Sequence, residues 1–447
     1  RACIGRMRVN RLRENMVFSS IVFLFFFLPI ALIIGLGLQA VANRKGGVGW
    51  ALTAGNAWLL VISFLFYAWG EPILVWVLVL SCGLNYAGGL VIAAAGRWRS
   101  WVLSGFVTAN LGLLAWFKYS GLLVDLANRI NAAVAGVFGS EIAWTGVALP
   151  LGISFYTFHG ISYLVDVARG TVAPTTNLLT FGSYNVLFPQ LVAGPIVRYA
   201  EVGHSFRRRT VGLDDLAAGA TRFIAGLGKK TLIANPVSQL ADAAFALGAG
   251  DLTAAAAWLG VVAYAIQIYF DFSGYSDMAI GIGRMLGFRF PENFNHPYAA
   301  VSMRDFWRRW HMTLSRFFRD YLYLPLGGNR RGPWRTSFNL LLVFALCGLW
   351  HGASWTFMLW GLFHGVFLAA ERVLEPVTDG ARAWLRPLRH VYVGVVVVLS
   401  WVLFRADTAA AALAYYRAMF DVGTLTTIAV LPWRALSPDV MLALAAG

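Results

Sequence analysis

The sequence predicts an all-α fold, a polytopic integral membrane helical bundle with about ten or eleven transmembrane helices. Three features predict it: an apolar composition, apolar runs that recur along the chain, and basic residues concentrated in short connections. Of the 447 residues, 59% are apolar and 13% are charged, whereas soluble domains carry roughly 25% charged residues. The composition therefore excludes an ordinary soluble domain.

The apolar runs account for the predicted crossings in order. A helix needs about 20 consecutive apolar residues to cross the hydrocarbon core of a bilayer. Another run begins at Asp439, and we expect it to continue beyond the last residue given. The runs that qualify lie near residues 17–40, 52–69, 73–95, 101–117, 147–168, 215–235, 253–288, 338–349, 353–370 and 391–405.

The amino-terminal residues differ from the rest of the chain. Residues 1–15 hold five arginines and no apolar run, and Met16 directly precedes the first apolar segment. That segment is too long for a removable signal peptide and lacks a small-residue cleavage site, so we expect it to stay as the first crossing. We therefore predict one transmembrane domain over 16–447 and an upstream or non-native extension over 1–15.

The formal charge of +15 would suit a nucleic-acid partner, but the positions of the charges indicate a membrane. Basic residues in short connections stay on the cytoplasmic side of a bilayer. We therefore expect membrane lipids, and no nucleic acid, as partners. The cysteines Cys3, Cys82 and Cys347 are widely spaced and form no metal or disulfide pattern. The basic connections are Arg44 with Lys45, Arg97 with Arg99, 207–209 and 304–335.

Two apolar segments are interrupted by residues unusual at membrane depth. Segment 178–197 is broken by Pro189, Gly194 and Pro195. Backbone groups freed by such breaks need partners inside the protein, so this segment is predicted to be re-entrant or to line a cavity. Segment 271–277 holds two aspartates and two serines. It would face a cavity or a partner helix, or would form a short loop between two helices.

Segment 304–321 carries the first chemically distinctive residue. Wound as an ideal helix at about 100° per residue, it places its aromatic residues on one arc and its arginines on the opposite arc. This pattern predicts a basic amphipathic helix at the membrane interface. A plain cytoplasmic anchor would explain Arg304, Arg308 and Trp310, but not His311 at the edge of the aromatic arc. Partial desolvation there favours the neutral imidazole, which can act as a base.

His351 is the second such residue and lies between two apolar runs. An ionisable group in a membrane segment is a functional candidate because its burial is costly unless it pairs. Gly348 and Gly352 would let another backbone or a thin substrate approach closely. An imidazole there can remove the proton from a hydroxyl or thiol that attacks a thioester. The alternative is a histidine that is simply hydrogen-bonded within the bundle.

The other histidines are weaker candidates. His364 would lie on the same helix as His351 but about 140° around it. His159 would line the cavity or pack as a polar residue between helices. The remaining histidines, His204, His296 and His390, lie in polar connections. No pair has metal-site spacing, so no metal is predicted, and no nucleophile elbow or phosphate-binding loop occurs.

Seven short motifs follow one another over Met16 to about Phe404, and together they resemble the membrane-bound O-acyltransferase family. The resemblance is strongest to the bacterial branch that acts in alginate O-acetylation. Each motif alone is weak, whereas seven in order are specific. They are Met16-Val-Phe-Ser-Ser, Leu149-Pro-Leu-Gly-Ile-Ser-Phe-Tyr-Thr-Phe, Phe188-Pro-Gln-Leu-Val-Ala-Gly-Pro195, Phe270-Asp-Phe-Ser-Gly-Tyr-Ser-Asp-Met-Ala279, Pro291-Glu-Asn-Phe-Asn-His-Pro-Tyr298, Phe306-Trp-Arg-Arg-Trp-His311 and Leu349-Trp-His-Gly352.

The resemblance implies a site and its partners. The position of His351 holds the family's catalytic histidine, and that of His311 holds a second histidine. The helices would surround a tunnel or funnel that admits a cytoplasmic acyl thioester, either acetyl-coenzyme A or an acylated carrier protein, with no bound cofactor. Arg304 and Arg308 would hold its phosphates or merely set the topology. In the bacterial inner membrane, a separate extracytoplasmic SGNH-type transferase would then acetylate the polysaccharide.

We therefore expect an O-acetyltransferase that serves an exported, alginate-type polysaccharide. His351 would be the general base or a transient acyl acceptor, and His311 would orient it, position the thioester or assist proton transfer. Trp310 and Trp350 would shape the tunnel, and Asn295 would hydrogen-bond within the site. Two alternatives remain open. One is transfer of D-alanine or a fatty acyl group. The other is a proton-coupled transporter, although the expected internal repeats are not visible.

Overall fold

The computed structural model describes residues 17–44, 46, 48–134, 140–248, 250–378, 385–425 and 437–447. Within these residues the regular structure is helical and no strand occurs, which confirms the predicted all-α class. The start predicted at Met16 and the extension over 1–15 lie outside the described residues. The chain forms two compact units, each of which is considered by itself.

Seven helices in the described part of the chain are long and apolar enough to cross a membrane. This confirms a multi-pass membrane protein. The crossings predicted near 147–168, 215–235 and 338–349 are not among the seven and stay predictions. The seven segments are Phe23–Asn43, Trp50–Gly70, Val75–Ala94, Gly96–Ala133, Ala254–Met285, Trp355–Leu374 and Arg386–Arg405.

Large apolar side chains lie on the surface of these helices. Trp76 is 72% exposed and Trp101 is 75% exposed. A water-soluble protein rarely exposes apolar patches of this kind, because contact with water costs free energy that contact with lipid chains does not. The apolar exterior therefore agrees with burial in a bilayer.

The first unit comprises the described residues up to Gly121 together with Glu141–Leu227 and Tyr275–Pro291. Its core is rich in phenylalanine, and the ring of Phe27 meets that of Phe188 edge to face at 5.3 Å. A π-helical turn, Phe23–Phe27, precedes the first helix. The helices that lie or begin in this unit are α1 (Leu28–Asn43), α2 (Trp50–Gly70), α3 (Val75–Ala94), α4 (Arg99–Ala133), α5 (Ile153–Arg169), α6 (Leu178–Asn185), α7 (Phe188–Leu191), α8 (Tyr199–Val202) and α9 (Leu213–Gly228).

The broken segment 178–197 satisfies its backbone inside the first unit, as predicted. The Asn177 side chain caps α6 by accepting a hydrogen bond from the backbone nitrogen of Thr180 at 3.0 Å. After the break, the backbone nitrogen of Phe188 donates to Ser63 Oγ at 3.0 Å. Gly194 adopts a φ of 99°, which side chains other than hydrogen disfavour. Whether the segment is re-entrant in a membrane stays a prediction.

The second unit comprises Leu122–Ser140, Gly228–Gly274 and Glu292–Gly447, apart from the residues that are not described. A π-helical turn, Lys229–Ala234, leads into its first complete helix. The helices that begin here are α10 (Asn235–Phe245), α11 (Ala254–Met285), α12 (Met303–Arg309), α13 (Met312–Phe318), α14 (Gly332–His351), α15 (Trp355–Thr378), α16 (Arg386–Arg405), α17 (Ala409–Met419) and α18 (Pro438–Ala446).

Segment 271–277 is helical, so the alternative of a short loop is wrong. It forms part of α11, and its two carboxylates are paired with basic side chains. In the second unit, Asp271 pairs with Lys230 at 2.7 Å. In the first unit, Asp277 pairs with Arg222 at 2.7 Å. Pairing of this kind reduces the cost of placing a carboxylate on an apolar helix.

Candidate active site

A sharp corner joins α12 and α13. Ser302 caps α12 by accepting a hydrogen bond from the backbone nitrogen of Asp305 at 3.0 Å. The helix ends at Arg309, Trp310 is extended, and His311 adopts a left-handed backbone with φ 42° and ψ 54°. The continuous amphipathic helix predicted over 304–321 is therefore wrong.

Backbone hydrogen bonds from a neighbouring segment explain this corner. The backbone nitrogen of Asn295 donates to the carbonyl oxygen of Arg309 at 2.9 Å, and that of Met312 donates to the carbonyl oxygen of Asn293 at 2.9 Å. These contacts occupy groups that a continuous helix would pair internally. They also hold His311 in a conformation that costs a residue with a side chain roughly 1–2 kcal/mol. Such strain persists only where surrounding contacts over-determine it.

His311 is completely buried at this corner, rather than partly desolvated as expected. Its Nδ1 atom lies 3.0 Å from Asn293 Oδ1, and its ring meets that of Phe272 edge to face at 4.7 Å. The residue lies outside the seven membrane-capable helices. Burial, and secondarily the nearby His351, hold the pKa of His311 well below its ordinary value. The ring is therefore neutral at physiological pH.

His351 is the last residue of α14 and is half-buried. Its ring lies 5.1 Å from that of Trp360, nearly perpendicular at 87°, and 5.2 Å from that of Phe404. The centroids of the His351 and His311 rings are 6.5 Å apart. The two histidines singled out from the sequence, 40 positions apart in the chain, therefore meet in space.

Close packing of α14 against α15 positions His351. A Cβ atom at Gly348 would overlap the carbonyl oxygen of Phe357, and one at Gly352 would overlap the Phe357 ring. Similarly, a Cβ atom at Gly361 would overlap the carbonyl oxygen of Phe344. Of the two uses predicted for Gly348 and Gly352, the structure therefore shows close approach of another part of the chain. This packing holds the turn that carries His351.

The two tryptophans predicted to shape a tunnel, Trp310 and Trp350, are both buried. The Trp350 ring lies 6.1 Å from that of His311 and 4.9 Å from that of His351. Trp310 points into a different aromatic cluster, where its ring lies 5.0 Å from that of Trp401. Trp350 therefore lies next to both imidazole rings, whereas Trp310 packs against Trp401.

The asparagine in contact with the site is Asn293, rather than the predicted Asn295. Asn295 is exposed, and its backbone nitrogen bonds to the Arg309 carbonyl oxygen. Asn293 is completely buried, and its Oδ1 atom lies 2.9 Å from Thr313 Oγ1 in addition to the His311 contact. The sequence signal was present in the Pro291-Glu-Asn-Phe-Asn motif, but only the fold shows which asparagine points inward.

Arg304 and Arg308 border a cavity of about 210 Å³ in the second unit. Apolar side chains form most of its wall, and a third arginine, Arg319, joins the other two. Cys347 also lines the cavity and precedes His351 by one helical turn. The remaining lining residues are Trp307, Leu314, Ser315, Phe318, Tyr323, Leu340, Val343, Phe344 and Leu368.

A third histidine, His364, lies near His311 and His351 and is completely buried. The expectation that it shares a helix with His351 is wrong, because α14 ends at His351 and His364 lies on α15. Trp307 Nε1 donates to His364 Nδ1 at 3.4 Å. The Trp360 ring lies 5.0 Å from that of His364 as well as next to His351. Within the described residues, no three histidine, cysteine or carboxylate side chains gather as a metal site would require.

The model of the membrane-bound O-acyltransferase family matches residues 171–413. This match includes the corner, both histidines and the cavity. The chain belongs to the membrane-bound O-acyltransferase family, and it is a multi-pass membrane acyltransferase.

Three relatives show which acyltransferases the chain is similar to. The chain is 46% identical over 416 residues to the "Probable alginate O-acetylase AlgI" of Azotobacter vinelandii, covering 92% of this chain and 79% of that protein. It is 35% identical over 441 residues to a peptidoglycan O-acetyltransferase of Helicobacter pylori, covering 90% and 80%. It is also 25% identical over 370 residues to a teichoic acid D-alanyltransferase of Bacillus subtilis, covering 76% and 89%.

Proposed function

We propose that the chain is an O-acetyltransferase of a bacterial inner membrane that moves acetyl groups from a cytoplasmic thioester toward an exported, alginate-type polysaccharide. The observation that carries the proposal is the His311–His351 pair, with ring centroids 6.5 Å apart. An arginine-bordered apolar cavity lies in the same unit. The names of the similar relatives support acetyl as the group transferred.

His351 is the proposed general base. It removes the proton from an acceptor hydroxyl as that oxygen attacks the acetyl carbonyl carbon, and the proton then passes to the departing thiolate sulfur. In the alternative route, the imidazole itself accepts the acetyl group and passes it to the hydroxyl in a second step. His351 is half-buried, so its ring combines partial desolvation with access for a reacting group.

The donor is proposed to be acetyl-coenzyme A or an acylated carrier protein. Both carry the acyl thioester on a flexible pantetheine arm, in which amides alternate with methyl and methylene groups and a phosphate is attached at the far end. The cavity supplies an apolar wall for the methyl and methylene groups of such an arm, and Arg304 and Arg308 supply donors for phosphate oxygens. The thioester approaches from the cytoplasmic face, where basic connections remain.

Replacing both Arg304 and Arg308 by glutamine is expected to raise the KM for the donor about tenfold or more and to change kcat less. A lost charge-assisted hydrogen bond costs about 1.5–3 kcal/mol, and about 1.4 kcal/mol is tenfold in affinity. The measurement is transfer from radiolabelled acetyl-coenzyme A by isolated membranes. The control replaces Arg330 and Arg331, which are exposed and do not line the cavity. Equal effects of both double substitutions would contradict a specific phosphate contact.

The polysaccharide is proposed to receive its acetyl group from a separate extracytoplasmic SGNH-type transferase. In that arrangement this chain carries the acetyl group through the membrane, and the partner completes the transfer. Removal of the partner would then abolish polysaccharide acetylation even with the membrane chain present at its normal level.

The test of the proposed function is alkali-labile acetate in the exported polysaccharide of a strain deleted for this gene. We expect the wild-type gene to restore the acetate that the deletion removes. Equal acetate with and without the gene would rule out an essential role in O-acetylation there.

D-alanyl transfer is the second candidate, because a relative of that name is 25% identical over 76% of this chain. The same strains distinguish the two, since ester-linked D-alanine and acetate are separable after alkaline release. Membership of an acyltransferase family counts against a transporter. Transport that requires His351 without any acyl transfer would reverse that judgement.

A further inference from the structure

Asn293 holds one side-chain oxygen at the centre of the histidine corner. Three possible donors surround Oδ1: His311 Nδ1 at 3.0 Å, Thr313 Oγ1 at 2.9 Å and the Thr313 backbone nitrogen at 3.3 Å. Asn293 and His311 are completely buried, and Thr313 is 3% exposed. A buried polar group with several partners of this kind is rigidly oriented.

These contacts determine the direction of the hydrogen bond to His311. A backbone N–H can only donate, so the atom that faces the Thr313 nitrogen is the amide oxygen of Asn293 rather than its nitrogen. An amide oxygen can only accept. Therefore Nδ1 of His311 carries the hydrogen, and Nε2 of the neutral ring carries the lone pair.

The Nε2 atom of His311 is buried and has no hydrogen-bond partner among the described residues. A buried acceptor without a partner is costly, and such groups often mark functional positions. Because the hydrogen bond from Nδ1 to Asn293 holds the ring in place, Nε2 is an acceptor with a fixed orientation in a neutral ring.

Few charges act on this ring. His351, from α14, is the titratable group whose charge opposes protonation of His311. Within the corner, Arg309 pairs with Asp305 at 2.9 Å, and Arg316 Nη2 donates to the Glu292 carbonyl oxygen at 3.3 Å. On α11, the residue that faces the ring is the uncharged Phe272. Asn293 is thus a neutral partner, and no carboxylate among the described residues is a cause of the His311 pKa shift.

We propose that Asn293 is a positioning residue that fixes the Nδ1-protonated tautomer and the orientation of His311, so that Nε2 can accept a proton during acyl transfer. This role rests on the proposed function. His351 takes the proton from the acceptor hydroxyl, Nε2 of His311 accepts that proton from His351, and the proton passes back through His351 to the departing thiolate sulfur, so that no net charge remains. A neutral partner suits this cycle because a carboxylate would retain the proton on His311.

The tautomer can be measured without any substrate. The ring nitrogens of the seven histidines are observed by ¹⁵N NMR of the purified, histidine-labelled protein, and the signals of His311 are assigned by their loss in His311→Gln. We expect a protonated Nδ1 and an unprotonated Nε2 in the wild type. Asn293→Leu should abolish this preference, and Asn293→Asp should move the titration of His311 to higher pH. A protonated Nε2 in the wild type, or an unchanged signal in Asn293→Leu, overturns the proposal.

Acetate in the exported polysaccharide tests the consequence for activity, at matched membrane levels of each variant. Asn293→Leu should reduce acetate at least about tenfold, since loss of the group that orients a catalytic histidine is costly. Asn293→Asp should restore much of the activity at high pH, with the acid limb of its profile moved upward. Isolated membranes supplied with acetyl-coenzyme A give this profile.

Thr313→Val is the matched control for a merely structural role. It removes a donor to the same Asn293 oxygen but leaves the His311 contact in place. We expect it to retain the wild-type tautomer and most of the acetate. If Thr313→Val lowers acetate as far as Asn293→Leu, Asn293 only shapes the corner. If the wild type restores no acetate, the proposed function fails, whereas the NMR result still decides how Asn293 acts on His311.

Discussion

Replacing His351 by alanine is expected to reduce acetyl transfer by about 10²- to 10⁴-fold, the usual contribution of a general base. The physical reason is the position of its imidazole, which is half-buried and close to the neutral ring of His311. The measurement is alkali-labile acetate in the deletion strain that carries the variant.

The His351 experiment needs a control for loss of the protein itself. His204 is an exposed histidine in the first unit, remote in sequence from the site, and His204→Ala should behave as the wild type. We also expect His351→Ala to reach the membrane at a normal level, because the helix ends at this residue and its removal creates no overlap. Full acetate from His351→Ala at a matched level would show that His351 is not the base.

Replacing Gly348 by alanine is expected to destabilise the protein by about 3 kcal/mol, at the upper end for an overpacked core. The added methyl group would overlap the carbonyl oxygen of Phe357 on α15. A backbone oxygen cannot rotate away as the end of a side chain can, so the two helices must separate. Thermal unfolding of the purified protein in detergent measures the effect, with the membrane level as a second readout.

Gly394 is the matched control for this substitution. It lies in α16, and a Cβ atom placed there meets no atom within 4 Å. Alanine stabilises a helix by about 1 kcal/mol relative to glycine, so Gly394→Ala should raise the unfolding temperature while Gly348→Ala lowers it. Shifts of the same sign in both variants would contradict close packing between α14 and α15.

Much of the fold follows from local properties of the sequence. The class of protein follows from composition and from the length of the apolar runs, because transfer of a helix into lipid depends on its own residues. The candidate catalytic residues also follow from the sequence. A histidine within an apolar run, such as His351, can be recognised without knowledge of how its helix packs. The acidic segment 271–277 is different, because its two carboxylates are paired with residues distant in the chain, Arg222 and Lys230.

The corner at His311 could not be predicted from periodicity. The pattern over 304–321 is that of one amphipathic helix, and hydrogen bonds from 293–295 override it. The sequence also could not show whether Asn293 or Asn295 contacts His311, because both belong to one motif. Only the tertiary structure shows that the contact is made by Asn293.

By itself, the sequence determined that the chain is a helical membrane protein and that His311 and His351 are its distinctive residues. The tertiary structure alone decided that the two imidazoles lie together, which side chain contacts His311, and which arginines border a cavity. The physical reason is that hydropathy and helix length are sums over neighbouring residues, whereas a site is built from contacts between segments far apart in the chain. Here those contacts include a backbone conformation at His311 that no local preference would select.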